Sequence, residues 1–266
     1  MLKDITLGQY YPVDSFVHRL DPRGKILLTV ALIAGVFLAG TIPAFLPALL
    51  YIMLAARTAH LPAKMLLKGL KPLRIILIFT FLLNLFFNSG ETVLVSFIGI
   101  TITAEGLEMA VRFSLRLVFL VTGASILTLT TSPVVLTDGL ERLLHPLTKI
   151  GFPAHELAMM MTIALRFIPT LMEEADKIMK AQTARGADFE SGNLMQRAKA
   201  MVPLLVPLFV SAFRRAGDLA MAMEARCYHG SEGRTRLRVL KYGKNDLIAA
   251  VVTVVMIVLT VIVCRL

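Results

Sequence analysis

The chain has 266 residues, 56% of them hydrophobic and only 17% charged, with a mean hydropathy of +0.74. That balance excludes an average soluble domain, and apolar runs of membrane-spanning length point to a protein embedded in lipid. The net charge of +10 does not indicate nucleic-acid binding, because its distribution follows membrane orientation instead.

Residues 1–25 are polar and lack the apolar core that a cleavable signal peptide needs. From Ile26 to Ala56 there is no charge at all, about twice the length one helix requires. Proline is poorly tolerated inside a helix, so Thr41-Ile42-Pro43 predicts a tight turn between two short spans. A third span is expected from about Pro72 to Asn88 and a fourth from about Ala104 to Thr131. The last, Leu247 to Val263, is dominated by Val and Ile.

Arg57, Lys64, Lys68, Lys71 and Arg74 crowd the loop between spans two and three. The opposite loop, Asn88 to Glu105, carries Glu91 and Glu105 and no base. Basic loops stay cytoplasmic, so the N-terminus and the long middle block are expected inside and the C-terminus outside. On that topology Cys227 and Cys264 stand on opposite faces, which argues against a disulfide between them.

Three domains are expected: 1–132 with four spans, 133–244 as a cytoplasmic coupling block, and 245–266 as a final span. The block is predicted to hold three helices, from Val134 to Leu144, from about Pro153 to Thr183, and from about Leu194 to Ala225. In the second, Leu171, Met172, Ala175, Ile178, Met179 and Gln182 recur at helical spacing, and Gly186 is placed to stop it. Pro203 and Pro207 are expected to bend the third. Leu157 to Met172 is apolar but interrupted by Arg166 and Pro169, and Met201 to Phe213 is short. Both are read as helices lying against the bilayer or a partner. Most of the methionines fall between Met159 and Met223, and such flexible side chains suit a surface that repacks against partners.

Catalytic patterns are missing. There is no G-x-x-x-x-G-K-[ST] phosphate loop and no G-x-S-x-G. His155-Glu156-Leu157-Ala158-Met159 begins like a zinc-protease motif but has Met where the second ligand belongs. Neither a catalytic residue, a metal site nor a cofactor is expected. Glu108, Arg112 and Arg116 share one helical face inside the fourth span; charge in lipid marks either a pathway or a pair packed into the bundle.

The most telling pattern is a repeat. Ala184-Arg185-Gly186 and Ala225-Arg226-Cys227 each end a long helix, and Phe189 or Tyr228 follows. A cation is favoured at a helix C-terminus, and guanidinium can plug a groove on another protein through bidentate hydrogen bonds. Two copies on the water side read as docking points.

The chain resembles the transmembrane T component of energy-coupling factor (ECF) transporters, ABC-type importers of vitamins and metal ions. The residues that carry the resemblance begin with Asp14-Ser15-Phe16-Val17-His18-Arg19-Leu20-Asp21-Pro22-Arg23-Gly24-Lys25. They continue through Leu165-Arg166-Phe167-Ile168-Pro169 and Ala181-Gln182-Thr183-Ala184-Arg185-Gly186 to Ala222-Met223-Glu224-Ala225-Arg226-Cys227-Tyr228. The resemblance implies an all-α polytopic membrane protein with about five transmembrane helices and three cytoplasmic or interfacial coupling helices. It implies a non-enzymatic subunit whose Arg185 and Arg226 enter grooves on two cytoplasmic ATPases. It further implies that amphipathic helix faces hold a membrane-embedded S component; on the coupling helices Met172, Ala175, Met179, Met201, Leu205 and Phe209 are the expected interface. Cys227 departs from the Ala-Arg-Gly form of the first copy. The alternatives, a stand-alone channel or secondary transporter and a membrane enzyme, would need midplane polar groups, an inverted repeat or a cluster of interfacial acids or histidines.

Overall fold

A computed structural model describes residues 10–88, 90, 92–97, 100–189, 193–230 and 240–265. The first nine residues of the polar N-terminal segment, Glu91, and positions 190–192 and 231–239 of the expected coupling block lie outside these. The chain divides into two compact units, one of Gly8–Leu143 with Val239–Leu266 and one built on Leu144–Arg238.

In the larger unit, α1 spans Pro22–Leu38. Its start is written locally: Asp21 Oδ1 accepts the Arg23 N–H at 2.9 Å, and Pro22 occupies the first turn, where its missing N–H has no role to fill. A single 3₁₀ turn, Pro43–Phe45, leads into α2, Leu46–Thr58, so the predicted turn separates two short helices. α3 (Ala63–Leu70), a 3₁₀ turn and α4 (Arg74–Phe87) form one apolar stretch, Ala63–Phe87. α5 spans Ala104–Thr130, α6 Pro133–Leu144 and α9 Lys244–Arg265.

Between α4 and α5 the sequence reading expected only a loop. The structure has an antiparallel hairpin there, β1 (Val93–Phe97) and β2 (Ile100–Thr103). The run of Val, Ile, Phe and Thr flanking Gly99 carried that signal. Thr103 then caps α5, its Oγ1 accepting the Gly106 N–H at 3.1 Å and donating to the Asn88 carbonyl at 3.1 Å. Gly106 is needed at this seam, since a Cβ would lie 2.9 Å from the Asn88 oxygen and 3.2 Å from that of Leu85.

The core of this unit brings together Leu32 and Val36 of α1, Ile52 of α2, Phe119 of α5 and Met256 of α9. Phe45 stacks on Phe119 with ring centroids 5.7 Å apart. Small residues let the helices approach: a Cβ on Gly35 would stand 3.2 Å from Ile257 and 3.3 Å from Met256. Arg116 donates to the Ala39 carbonyl at the C-terminus of α1 (3.1 Å) and lies over Phe37 and Phe113, while Arg112 pairs with Glu108. Arg116 thus holds the end of α1, while Arg112 is paired along its own helix.

The segment 14–25 folds into a polar clasp. Lys25, just before the uncharged part of α1, is buried; its Nζ donates to the His18 carbonyl (3.1 Å), the Thr130 carbonyl (3.0 Å) and Thr131 Oγ1 (3.2 Å). Three ammonium protons meet three oxygens. Burial lowers the Lys25 pKa to about 8, and the nearby Asp246 charge offsets only part of this. Asp246 Oδ1 accepts the Asp21 N–H at 2.8 Å, and Arg23 pairs with Asp21 at 2.9 Å while its guanidinium lies 4.1 Å from the centre of the Tyr242 ring. Burial alone would raise the Asp21 pKa, but the hydrogen bonds and charge of Arg23 hold it below the ordinary value. α6 belongs with this unit: a Cβ on its Gly139 would be 3.0 Å from Pro22.

The smaller unit contains a 3₁₀ turn, His145–Ile150, closed by Gly151 at φ +84°, then α7 (Ala154–Ala184) and α8 (Leu194–Glu224). Pro169 sits within α7 and Pro203 and Pro207 within α8, and neither helix is broken. Among its described residues few side chains are buried, chiefly Ala154, Ala158, Ala175 and Leu204. Lys199–Glu224 is long and apolar enough to cross a membrane, as are Ala63–Phe87, Ala104–Thr130 and Lys244–Arg265. The sequence reading had stopped the apolar part of α8 at Phe213; the helix runs past Arg214-Arg215, and Ala216 to Met223 add the missing length.

Candidate functional site

The two Ala-Arg repeats close α7 and α8, and they close them with the same geometry. At the end of α7 the Gly186 N–H donates to the Thr183 carbonyl (2.9 Å) and the Ala187 N–H to that of Gln182 (3.0 Å). At the end of α8 the Cys227 N–H donates to Glu224 (2.9 Å) and the Tyr228 N–H to Met223 (3.1 Å). Both sets are the paired 5→2 and 6→1 bonds of a Schellman cap. The arginine takes the last half-helical position in each, where the free carbonyls favour a cation.

The residue after each arginine is left-handed, with φ +88° at Gly186 and +53° at Cys227. Glycine adopts this freely, whereas a residue with a Cβ does so at a cost of about 1 kcal/mol. The departure of Cys227 from the first copy is therefore a matter of backbone conformation as well as side-chain size. Ala184, Arg185 and Gly186 are exposed, and so are Ala225, Arg226 and Cys227. Among the described residues neither arginine makes an ion pair, and both are exposed.

α7 and α8 run antiparallel. Arg215 pairs with Glu174 at 3.0 Å, Gln182 Nε2 donates to the Pro203 carbonyl at 3.5 Å, and the Tyr228 hydroxyl lies 3.3 Å from His155 Nε2. Ser211 and Arg215 hold the Glu174 carboxyl below its usual range. Rising numbers on one helix meet falling numbers on the other. The arginine caps consequently stand at opposite ends of the pair, roughly 40 Å apart at 1.5 Å per residue. Glu174 and Arg215 lie the same distance before Arg185 and Arg226, so the ion pair joins equivalent points of two matched helices.

The expected partner-facing residues separate into two groups. On α8, Met201, Leu205 and Phe209 recur every four residues and are exposed, Phe209 at 62%. On α7, Ala175 is buried and Met172 and Met179 are half-buried. The sequence reading missed the His155–Tyr228 contact. In sequence His155 stands out only as part of an incomplete metal motif, and Tyr228 only as the aromatic after Arg226.

Comparison with known proteins now adds to this geometry. The family model described as cobalt transport protein, CbiQ, matches residues 14–237. The "energy-coupling factor transporter transmembrane protein EcfT" of Acidaminococcus fermentans is 56% identical over 259 residues, covering 97% of this chain and 96% of its own. Those of the same name from Clostridium kluyveri and Brevibacillus brevis are 54% and 51% identical, over 97% of this chain and 96% and 97% of theirs. With both the family model and full-length relatives in agreement, the chain belongs to the CbiQ/EcfT family of transmembrane proteins of energy-coupling factor transporters.

Proposed function

We propose that this chain is the non-catalytic coupling subunit of an ECF-type importer. It transmits ATP-driven motion of two cytoplasmic ATPases to a membrane-embedded S component that binds a vitamin or metal ion. The observation that carries the reading is the pair of exposed arginines on matched Schellman caps at opposite ends of one antiparallel helix pair. A matched pair of ends suits two related sockets, one on each ATPase. The exposed row Met201, Leu205 and Phe209 suits an apolar partner, and the lack of a phosphate loop in this sequence assigns nucleotide chemistry to other chains. The basic residues between α2 and α4 support a topology with those loops, the N-terminus and the α7–α8 block in the cytoplasm and the C-terminus outside.

The test replaces Arg185 and Arg226 together with Glu in the assembled transporter. Reversing both charges is expected to lower ATPase co-purification at least about tenfold and to abolish ATP-driven uptake. Normal co-purification and uptake by the double variant would overturn the docking role.

A further inference from the structure

The two caps share a backbone fold but are tied across the helix pair from different places: at α7 Gln182, inside the last turn, donates to the Pro203 carbonyl at 3.5 Å. In both, the residue after the left-handed position donates its N–H back to the helix; at α7 that residue is Ala187 and at α8 it is Tyr228. Ala187 ends at a methyl group. The Tyr228 hydroxyl reaches 3.3 Å to Nε2 of His155, in the first turn of α7. Both rings are half-buried. With His155 neutral and its proton on Nδ1, Tyr228 donates and Nε2 accepts. The cap braced from beyond its left-handed residue is also the one that lacks glycine, with Cys227 at φ +53°.

We propose that Tyr228 and His155 are positioning residues for Arg226: their hydrogen bond ties the residue that closes the α8 cap to the opposite helix, whereas at α7 the tie across the pair leaves from Gln182, in the last helical turn before Arg185. A non-glycine left-handed residue weakens a cap by favouring its opening. A side-chain bond from the next residue restores the closed form. The consequence for coupling is mechanical. A push on Arg226 reaches α7 through Tyr228 as well as α8 through its backbone, from beyond the cap, whereas a push on Arg185 reaches α8 from within the last turn of α7, through Gln182. This inference rests on the docking role of Arg226 proposed above.

The experiment uses the complete transporter with its ATPases. Amide hydrogen exchange is followed at 227–228 and, as an internal control, at 186–187. Variants are Tyr228→Phe, His155→Ala, both together, and His155→Gln, which keeps a hydrogen-bonding group at that position. Tyr228→Phe and His155→Ala are each expected to speed exchange at 227–228 about fivefold, the equivalent of one lost hydrogen bond, and to leave 186–187 unchanged. The double variant should be no faster than either single one, and His155→Gln should recover most of the protection. ATP-driven uptake should fall two- to fivefold in Tyr228→Phe, with ATPase co-purification retained, because the guanidinium itself remains.

Unchanged exchange at 227–228, an equal rise at both caps, or additive effects in the double variant would each overturn the brace. Faster exchange with normal uptake would overturn its role in coupling. An Arg226→Glu variant separates this from the docking reading. If that variant couples normally, docking fails, while the exchange data still decide whether the brace exists.

Discussion

The two units of this protein treat their charged groups in different ways. The larger one buries charge and satisfies it: Lys25 has three oxygen acceptors, and Asp21 and Asp246 are tied to backbone N–H groups. The smaller one leaves Phe209 and Phe213 open, at 62% and 74% exposure, with two arginines facing solvent at its helix ends. Burying an unpaired charge costs several kcal/mol, so the first arrangement is what a self-contained scaffold needs. The second is stable only as a surface that something else covers, be it lipid or protein. The larger unit exposes apolar side chains as well, Phe87 at 80% and Ile75 at 75%, so the contrast lies in the charges: paired inside one unit, presented at the helix ends of the other.

The largest expected effect separating them is one of pH. Lys25 releases its proton at about 8 when folded and at 10.5 when unfolded. Between those values the unfolded chain binds one more proton, so stability rises with pH, by up to about 3 kcal/mol in all. Below pH 8 the penalty is constant, and above 10.5 it is gone. Thermal unfolding in detergent from pH 7.5 to 10.5 should show this rise, and Lys25→Met should flatten it. A rise of the same size in the variant would show that Lys25 is not its source.

Next comes the seam between α4 and α5. Gly106→Ala should destabilise the larger unit by about 2 kcal/mol, because the new Cβ would meet two backbone carbonyls that cannot swing away. Denaturant melts monitored with a thiol-reactive dye at Cys264 would measure it.

The caps give effects of about 1 kcal/mol and of opposite sign. Gly186→Ala places a Cβ at φ +88° and should loosen the end of α7, while Cys227→Gly relieves φ +53° and should tighten the end of α8. Exchange rates at 186–187 and 227–228 report both. Equal and same-signed changes would mean the backbone angles do not govern these ends.

Smallest in stability is Phe209→Ala. With the ring mostly exposed, the melting midpoint should move by less than about 0.5 kcal/mol. Uptake should nonetheless fall several-fold if the α8 row holds the S component. A large stability loss with full transport would reverse the contrast between the units.

Much of the helical layout was legible beforehand. The predicted pieces Val134–Leu144, Pro153–Thr183 and Leu194–Ala225 became Pro133–Leu144, Ala154–Ala184 and Leu194–Glu224. Periodicity, a starting proline and a terminal glycine act over one or two turns, so they are readable in a single chain. The strands Val93–Phe97 and Ile100–Thr103 are also legible in their β-branched residues, a signal that the charge of that loop does not carry. Of the site, the two arginine endings were visible as a repeat. That Cys227 would take the left-handed position followed from the repeat only once the cap bonds were known.

What the sequence by itself determined, then, is the class of molecule, the helices, and the matched arginines, because apolar length and helix ends depend on neighbouring residues. The tertiary structure alone decided the acceptors of Lys25, the Arg116 contact with Ala39, the antiparallel order of α7 and α8, and the reach of Tyr228 to His155. Those partners lie 73 to 106 residues apart, except for the closer His18 carbonyl on Lys25, Gln182–Pro203 at 21 and the Glu174–Arg215 pair at 41. No local pattern encodes which carbonyl or ring nitrogen will arrive beside them; packing does, by bringing distant helices to the same few ångströms.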